Sequence, residues 1–447
     1  MVANVVINVG RVSGQLCTSA GCREGRTALP WLVALAALLL VVAVARLFGP
    51  VFVSPATASW LLPAPIDRPS VLRPRLVWAL LVALPAAALL AAVGSTLAGF
   101  AAGPVAAFAV SAGGLAVAGV GIAALAQSRR GIASRVLVWL LAALLWAALL
   151  VLALGVAPRL ESPRHLTATW WAVLAAAAAL AVALGVLSVT RLGRLRDRDV
   201  APGGSLAPGL SGALATLDLA LLYDVLVEHR WRGHATVRSR RGLPAGPEAL
   251  VRTEVTRMLR SPQTVVVLAA AVVAPYAVAA TGAGRLTLLV AALAGFLAGL
   301  PLLVALRVLT RTPSLLRMLP FPVAETRRLV LRLPGLLLIA FGLACVPAVH
   351  AAVGGTPTGA VGIGFAIGLS ALASAVRWVT GRPPDYSRPL VSTPAGGVPT
   401  NLYGSALRGF DMLLVTTAPL LLSPTGNGAF FSLVLSLVVL GYLTARQ

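Results

Sequence analysis

The side chains that could carry out chemistry are few and scattered in this sequence. The 447 residues include 13 acidic residues and four histidines, and all 36 basic residues are arginine. Glu228, His229 and His234 come closest to a metal-ligating group, but they lie in a basic segment where such residues are usually solvated. A phosphate-binding P-loop needs a lysine, which this chain lacks, and neither Gly-x-Ser-x-Gly nor His-Glu-x-x-His occurs. The sequence therefore predicts no catalytic residue, no cofactor and no metal site.

Arginine and proline residues instead recur in one pattern at two places. The pattern occupies Thr57–Leu81, "TASWLLPAPIDRPSVLRPRLVWALL", and Ser314–Leu338, "SLLRMLPFPVAETRRLVLRLPGLLL". Alignment of the two segments pairs Pro63 with Pro320, Pro65 with Pro322, Ile66 with Val323, Leu72 with Leu329 and Arg75 with Arg332. A Pro-x-Pro turn can fix the angle at which a helix begins, and charges beside it can dock on a complementary surface. The alternative is that these arginines only set membrane topology.

Membrane-spanning helices must position these two loops. Hydrophobic residues make up 59% of the chain, mean hydropathy is +0.93 and only 11% of residues are charged, whereas soluble domains are about 25% charged. Apolar runs of about 20 residues, long enough to cross a bilayer, recur throughout. About eleven spans are predicted, near 29–48, 76–99, 104–126, 136–156, 168–190, 264–281, 285–309, 333–353, 359–377, 405–422 and 428–444. The expected fold is an all-α integral membrane protein.

The formal net charge of +23 is concentrated between these spans. In a soluble protein it would suggest nucleic acid, but in short loops it indicates arginines that face the cytoplasm, so no nucleic-acid partner is predicted. Both Pro-x-Pro loops and the C-terminus are then cytoplasmic, in a bacterial cytoplasmic membrane. Eleven spans leave residues 1–28 outside in spite of Arg11, Arg23 and Arg26. Either a first span is missing from this sequence or the tail is external.

The repeated loop also predicts how the chain is divided. Four spans follow each loop, so the chain consists of two similar halves in parallel orientation, and the first half lacks its first span. The predicted segments are an N-terminal tail at 1–28, a first transmembrane half at 29–192, a cytoplasmic linker at 193–262 and a second transmembrane half at 263–447. Internal repeats of this kind are common in transporters, where the pathway lies between the repeats.

The end of the linker has the pattern of an amphipathic helix. In "GPEALVRTEVTRMLRSPQ", Pro247 and Glu248 favour a helix start. Helical spacing then puts Val251, Val255, Met258 and Leu259 on one face, with Arg252, Glu254, Arg257 and Arg260 around the rest. A basic helix of this type can lie on the membrane surface. The alternative is an ordinary cytoplasmic helix.

In this arrangement the chain resembles the permease subunits of ATP-binding-cassette (ABC) exporters, in particular the type-2 export permeases. A half-permease of that family has an amphipathic elbow helix and six spans, with a short cytoplasmic helix between the second and third spans that docks on the ATPase. The second half is similar in order, with an elbow at 247–262, two spans, the loop at 311–332 and four spans. The first half is similar from its second span onward.

This resemblance implies partners and contact residues. The partners would be a separate ATPase subunit, the lipid bilayer and, optionally, another permease chain. The elbow residues would be Val251, Arg252, Val255, Arg257, Met258 and Arg260. The ATPase-docking residues would be Pro63, Pro65, Arg68, Arg73 and Arg75 in the first loop, and Arg317, Pro320, Pro322, Glu325, Arg327 and Arg328 in the second.

Two other functions stay open from the sequence. An ion-coupled carrier usually needs ionisable groups at membrane depth, and the span interiors hold almost none. A membrane scaffold, or a membrane-bound enzyme of lipid or glycan chemistry, is the third possibility; an enzyme should cluster His, Asp or Glu at one membrane face. The pairs Gly295/Gly299 and Gly364/Gly368 have the spacing of closely packed helices, and we interpret them as packing sites.

Overall fold

The computed structural model describes residues 19–54, 56–65, 67–127, 132–156, 165, 167–195, 200, 203, 204, 206, 219–232, 246–381, 390–393, 396–399 and 407–445. The chain divides into two compact units, Met1–Ser211 and Gly212–Gln447. Both are built from helices, as the composition predicts. The boundary between the units falls inside the predicted linker, so the helices near its end belong to the second unit.

The first unit contains five long helices. They are α1 (Ala20–Phe48), α2 (Arg68–Leu97), α3 (Ala102–Gln127), α4 (Ile132–Ala153) and α5 (Ala168–Thr190), with a π-helical turn at Thr57–Leu61 and a 3-10 turn at Leu192–Arg194. Helix α1 begins nine residues before the predicted span because the Ser19 side chain caps it, accepting a hydrogen bond from Cys22 N at 3.2 Å.

Helix α3 is the centre of the first unit. It packs against α1, α2 and α5, and 67% of its most apolar 18-residue stretch is buried. Small residues allow this burial: a Cβ at Gly113 would lie 2.9 Å from the Leu84 carbonyl oxygen of α2. At Gly121 it would lie 3.1 Å from the Leu184 carbonyl oxygen of α5. The apolar driving force between helices is weak in lipid, so close backbone approach of this kind is what holds such a bundle together.

The second unit has more and shorter helices. They are α6 (Leu219–Arg232), α7 (Pro247–Arg260), α8 (Gln263–Ala271), α9 (Val273–Ala280), α10 (Leu286–Gly299), α11 (Val304–Arg311), α12 (Pro313–Met318), α13 (Val323–Ala344), α14 (Val346–Val353), α15 (Pro357–Thr380), α16 (Phe410–Leu422) and α17 (Gly426–Ala445). A 3-10 stretch, Leu300–Leu303, joins α10 to α11, and an antiparallel hairpin pairs β1 (Leu390–Thr393) with β2 (Gly396–Pro399).

Helix α15 is the centre of the second unit. It packs against α10, α13, α16 and α17, and 72% of its most apolar 18-residue stretch is buried. At its crossing with α13 a Cβ on Gly368 would lie 2.6 Å from the Leu338 carbonyl oxygen, and one on Gly342 would lie 2.8 Å from Gly368 N. Gly364 and Gly368, which the sequence marks as a packing pair, therefore both lie where the two backbones meet.

Helices occupy all eleven predicted span positions, but not all are long enough to cross a membrane. Among the described residues nine spans have the required length and composition when α8 with α9, and α10 with α11, are each taken as one span. The number is ten if α13 and α14, which meet at 41°, form one broken span. The prediction of eleven is therefore only partly met, because α16 has 13 residues and is about 20 Å long, against a hydrocarbon core of about 30 Å.

Candidate functional site

The first Pro-x-Pro loop forms a turn against the first unit. Pro63 and Pro65 are exposed, and helix α2 begins at Arg68, three residues after Pro65. The Arg68 guanidinium donates from Nη2 to the Leu62 carbonyl oxygen at 3.1 Å, which ties the helix start back to the turn. Leu62 itself is buried. The turn is thus held by one guanidinium and one apolar anchor, while its prolines stay on the surface.

The remaining arginines of this loop differ in their surroundings. Arg73 is exposed, whereas Arg75 is half-buried and donates from Nη1 to the Phe52 carbonyl oxygen at 3.1 Å. Leu72, directly before Arg73, is buried in a small apolar cluster with Leu62 and Leu76. Arg68 and Arg75 therefore hold the loop in place, and Arg73 is the arginine that this loop presents on the surface.

The second loop, in the second unit, also consists of a short helix, a bend with two prolines and the start of a long helix. Helix α12 ends at Met318, Pro320 and Pro322 follow in an exposed bend, and helix α13 begins at Val323. Arg317, in the last turn of α12, is exposed. Pro322 takes the N-cap position, where an extended backbone sets the direction of α13.

The charged residues at the start of α13 divide between two faces. Glu325 and Arg328 are exposed. Arg327 is only 9% exposed, and its Nη1 lies 3.5 Å from the Leu443 carbonyl oxygen near the end of α17. Of the residues predicted for docking in this loop, Arg327 therefore faces the interior of the unit, where a partner would not reach it.

The predicted elbow is helix α7, and it packs on α13. Glu254 is buried, and Arg257 donates to its Oε2 from Nε at 3.0 Å and from Nη2 at 2.8 Å. The same Nη2 donates to the Leu302 carbonyl oxygen at 2.6 Å, within the 3-10 stretch. Arg257 thus joins the elbow to the break between α10 and α11, where the change of helix type alters the backbone hydrogen bonding.

The apolar face of this elbow is split between the core and the surface. Met258 is buried in the core of the second unit, although helical spacing places it on the same face as Val255. Val255 and Leu259 are exposed, Leu259 by 75%, and Val251 is half-buried. Arg252 and Arg260 are exposed beyond them. An exposed Val–Leu pair beside arginines is the arrangement of an interfacial helix, on a narrower apolar face than the sequence predicts.

A cluster around Asp224 was not predicted from the sequence. Its carboxylate pairs with the buried guanidinium of Arg307 and lies 3.5 Å from Arg311 Nη2. The neighbouring Tyr223 ring is 5.0 Å from the Arg307 guanidinium, and its hydroxyl donates to the Leu300 carbonyl oxygen at 3.2 Å. This cluster fastens α6 to α11. The signal in the sequence that could have indicated this cluster is Asp224 itself, an acidic residue among the aliphatic residues of a helix in a strongly basic chain.

No metal centre emerges from the described part of the chain. There, no three His, Cys, Asp or Glu side chains come together. His234, from the closest metal-like grouping in the sequence, lies outside the described residues.

The long apolar helices define a multi-pass helical membrane protein. The chain belongs to DUF6297, a family of unknown function that matches residues 22–389. Comparisons with curated proteins and with solved structures found no match.

Proposed function

We propose that this protein is the membrane-spanning permease subunit of an ABC exporter in a bacterial cytoplasmic membrane. A separate ATPase subunit would dock on the two Pro-x-Pro loops and would supply the ATP hydrolysis. Under this proposal both loops and the C-terminus are cytoplasmic, and ATP binding by the partner switches the access of a transport pathway.

The observation that carries the proposal is a packing order common to both units. In the first unit the second helix after the loop, α3, packs on the first and fourth, α2 and α5. In the second unit the second span after the loop, α15, packs on the first and fourth, α13 and α17. In both units this second helix is also the most buried span. Two halves with equivalent packing favour duplicated permease halves over an unrelated pair of bundles.

The helices before each loop support the same correspondence. Helix α1 contacts α2, α3 and α4, which are the first three helices after the first loop. Helix α10 contacts α13, α15 and α16, which occupy the same three places after the second loop. The aligned leucines Leu72 and Leu329 are both buried, so the helix after each loop presents a comparable face to its own unit.

The exposed charges of the two loops suit a docking role. Arg73 in the first loop and Arg317, Glu325 and Arg328 in the second are exposed. Exposed charges beside a rigid turn can meet a complementary surface, and they affect association rate and specificity more than total affinity. We therefore assign docking to these four residues, and we assign the support of the loops to Arg68, Arg75 and Arg327.

The proposal is tested by purification from native membranes in a mild detergent. We expect an ATPase subunit to accompany the wild-type protein. A variant with Arg73→Glu, Arg317→Glu and Arg328→Glu should lose it, because each change turns an attraction into a repulsion. The control is Arg252→Glu, which reverses an exposed arginine on the elbow, outside both loops. It should retain the ATPase.

Two results would contradict this function. If no ATPase accompanies the wild-type protein, or if the triple variant inserts normally and still retains it, the loop arginines are topology signals only. Transport assays in vesicles then separate the alternatives: an ion-coupled carrier loses transport when the ion gradient collapses, and a scaffold shows no transport at all.

A further inference from the structure

Four arginines surround one cavity at an end of the second unit. The cavity has a volume of about 790 Å³ and lies where α13 begins and α15 and α17 end. Arg317 of α12, Arg327 of α13, Arg377 of α15 and Arg408 of the turn before α16 line it. Each comes from a different element, so the convergence is a product of the fold and not of one basic run in the sequence.

The described lining of this cavity is strongly positive. It contains the four arginines and no acidic residue. Beside it, the Oδ2 atom of Asp411 lies 3.7 Å from Arg377 Nη2. The Oδ1 atom of Asp411, in the first turn of α16, already accepts hydrogen bonds from Gly409 N at 2.6 Å and Met412 N at 2.8 Å. An anion that enters a cavity lined by guanidinium groups is attracted by their charge, which a partly enclosed space screens less than bulk water does.

Arg377 does not use all of its hydrogen-bond donors within the described residues. Its Nε is buried and has no hydrogen-bond partner among the described residues. Its ion pair with Asp411 is too long for a hydrogen bond. Because the Nε atom is buried, a ligand in the cavity would meet Arg377 at its terminal nitrogens, since the side chain as a whole is 30% exposed.

The position of Arg408 depends on the absence of a side chain at residue 381. A Cβ on Gly381 would lie 2.7 Å from Arg408 Cζ, and closer still to its Cδ and Nη1. The backbone of Gly381 has φ −63° and ψ 137°, which any L-residue can adopt. Glycine is therefore needed here for space: it lets the Arg408 guanidinium lie across the end of α15, beside the cavity.

We propose that this cavity binds a phosphate-bearing anion. The planar guanidinium fork matches phosphate oxygens in pairs, and several arginines from different helices can hold one phosphate from several sides. The cavity is far larger than a phosphate ion and falls in the usual range of about 300–1,000 Å³ for organic ligands. The ligand is therefore a phosphate ester, carried either by an anionic lipid headgroup or by a soluble compound. Basic pockets among membrane helices bind anionic headgroups in this way.

The first arm of the test distinguishes the two sources of phosphate. The full-length protein is purified in detergent and delipidated, and binding is followed by native mass spectrometry and by the shift in unfolding temperature. The probes are phosphatidylglycerol, phosphatidylcholine as the lipid without net charge, and glycerol 3-phosphate. Binding of phosphatidylglycerol alone identifies a lipid site. Binding of glycerol 3-phosphate at comparable concentration identifies a site for soluble phosphate esters.

The second arm uses variants outside the two docking loops, so its outcome is independent of ATPase docking. Arg377→Gln combined with Arg408→Gln should weaken binding about tenfold to a hundredfold, because two charged hydrogen-bonding groups are lost. Gly381→Ala keeps the net charge but displaces Arg408, so it too should weaken binding. The control is Arg285→Gln, an exposed arginine at the start of α10 that does not line the cavity. It should bind as the wild type does.

Two outcomes would overturn the proposal. One is that neither phosphatidylglycerol nor glycerol 3-phosphate binds the wild-type protein more tightly than phosphatidylcholine does. The other is that the double variant and Gly381→Ala both bind as the wild type does, since the attraction would then come from the general positive charge of the chain. Because Gly381→Ala retains both Arg377 and its pairing with Asp411, a fold weakened by the double variant cannot be mistaken for loss of the site.

Discussion

Replacement of Gly342 by alanine tests the closest helix crossing in the second unit. A Cβ at this position would lie 2.8 Å from Gly368 N and 3.0 Å from Gly368 Cα, and closer still to the Gly364 carbonyl oxygen, where ordinary contact begins at 3.4 Å. The neighbouring atoms belong to the backbone of α15 and cannot rotate away. Helices α13 and α15 must therefore move apart by at least about 0.6 Å, and a gap of that size already forfeits roughly a quarter to a half of the dispersion attraction across the contact.

The expected change in unfolding free energy is the balance of two opposing effects. Overpacking of this kind costs about 1–3 kcal/mol. Alanine in a helix interior gains up to about 1 kcal/mol over glycine. The matched control is Gly441→Ala in α17, because a Cβ there would meet nothing within 4 Å and the change carries only the propensity gain. The difference in unfolding free energy between the two variants thus isolates the clash, which we expect to be about 2 kcal/mol.

The assay is thermal unfolding in detergent, followed by reaction of a thiol dye with Cys345. This thiol is free and fully buried between α13 and α14, next to the crossing. A loss of about 2 kcal/mol corresponds to a Tm about 4–8 °C lower than that of Gly441→Ala, for a unit of this size. If the two variants unfold within about 1 °C of each other, the backbones do not approach as closely as described, and the argument for a glycine-mediated crossing is refuted.

Three further predictions concern ion pairs of the second unit. Asp224→Asn should lower its stability by about 2 kcal/mol in thermal unfolding, because Arg307 is 3% exposed and loses its charged partner. Glu248→Gln, which breaks the exposed pair with Arg252, should change stability by less than about 0.5 kcal/mol; an equal loss in both variants would contradict the role of burial. Arg257→Met should lower the unfolding free energy by more than Arg257→Met combined with Glu254→Gln does, because the single change leaves a buried carboxylate unpaired. A larger loss in the double variant would show that the ion pair itself stabilises the elbow.

The positions of the helices were predictable because lipid imposes a simple requirement on sequence. A span must be about 20 apolar residues long and satisfy its backbone internally, and hydropathy records both conditions. The predicted span 168–190 coincides with α5, and the predicted span 333–353 ends where the pair α13–α14 ends, although α13 begins ten residues earlier, at Val323. The bend within the latter pair was not predicted. Pro347 lies in its second helix, but prolines are tolerated in straight and in bent spans alike, so this residue does not by itself specify a bend.

The sides of the helices that face inward were less predictable. Arg327 and Arg328 are adjacent and chemically identical in the sequence, yet Arg327 is buried against the end of α17 and Arg328 is exposed. In the elbow, helical spacing correctly places Met258 on the same face as Val255, but only Met258 is buried in the core of the second unit. Spacing shows which residues share a face; which part of that face is covered depends on a neighbouring helix that comes from elsewhere in the chain.

The sequence by itself determined that this is a helical membrane protein, where its helices lie, and which two loops recur, because these properties depend on runs of local composition. Only the tertiary structure decided that Asp224 pairs with Arg307, that Gly342 meets Gly368, and that four arginines from four elements surround one cavity. Each of these contacts joins residues that are separated in the chain. Their energies arise from distance and burial in three dimensions, which composition and spacing along one helix do not contain.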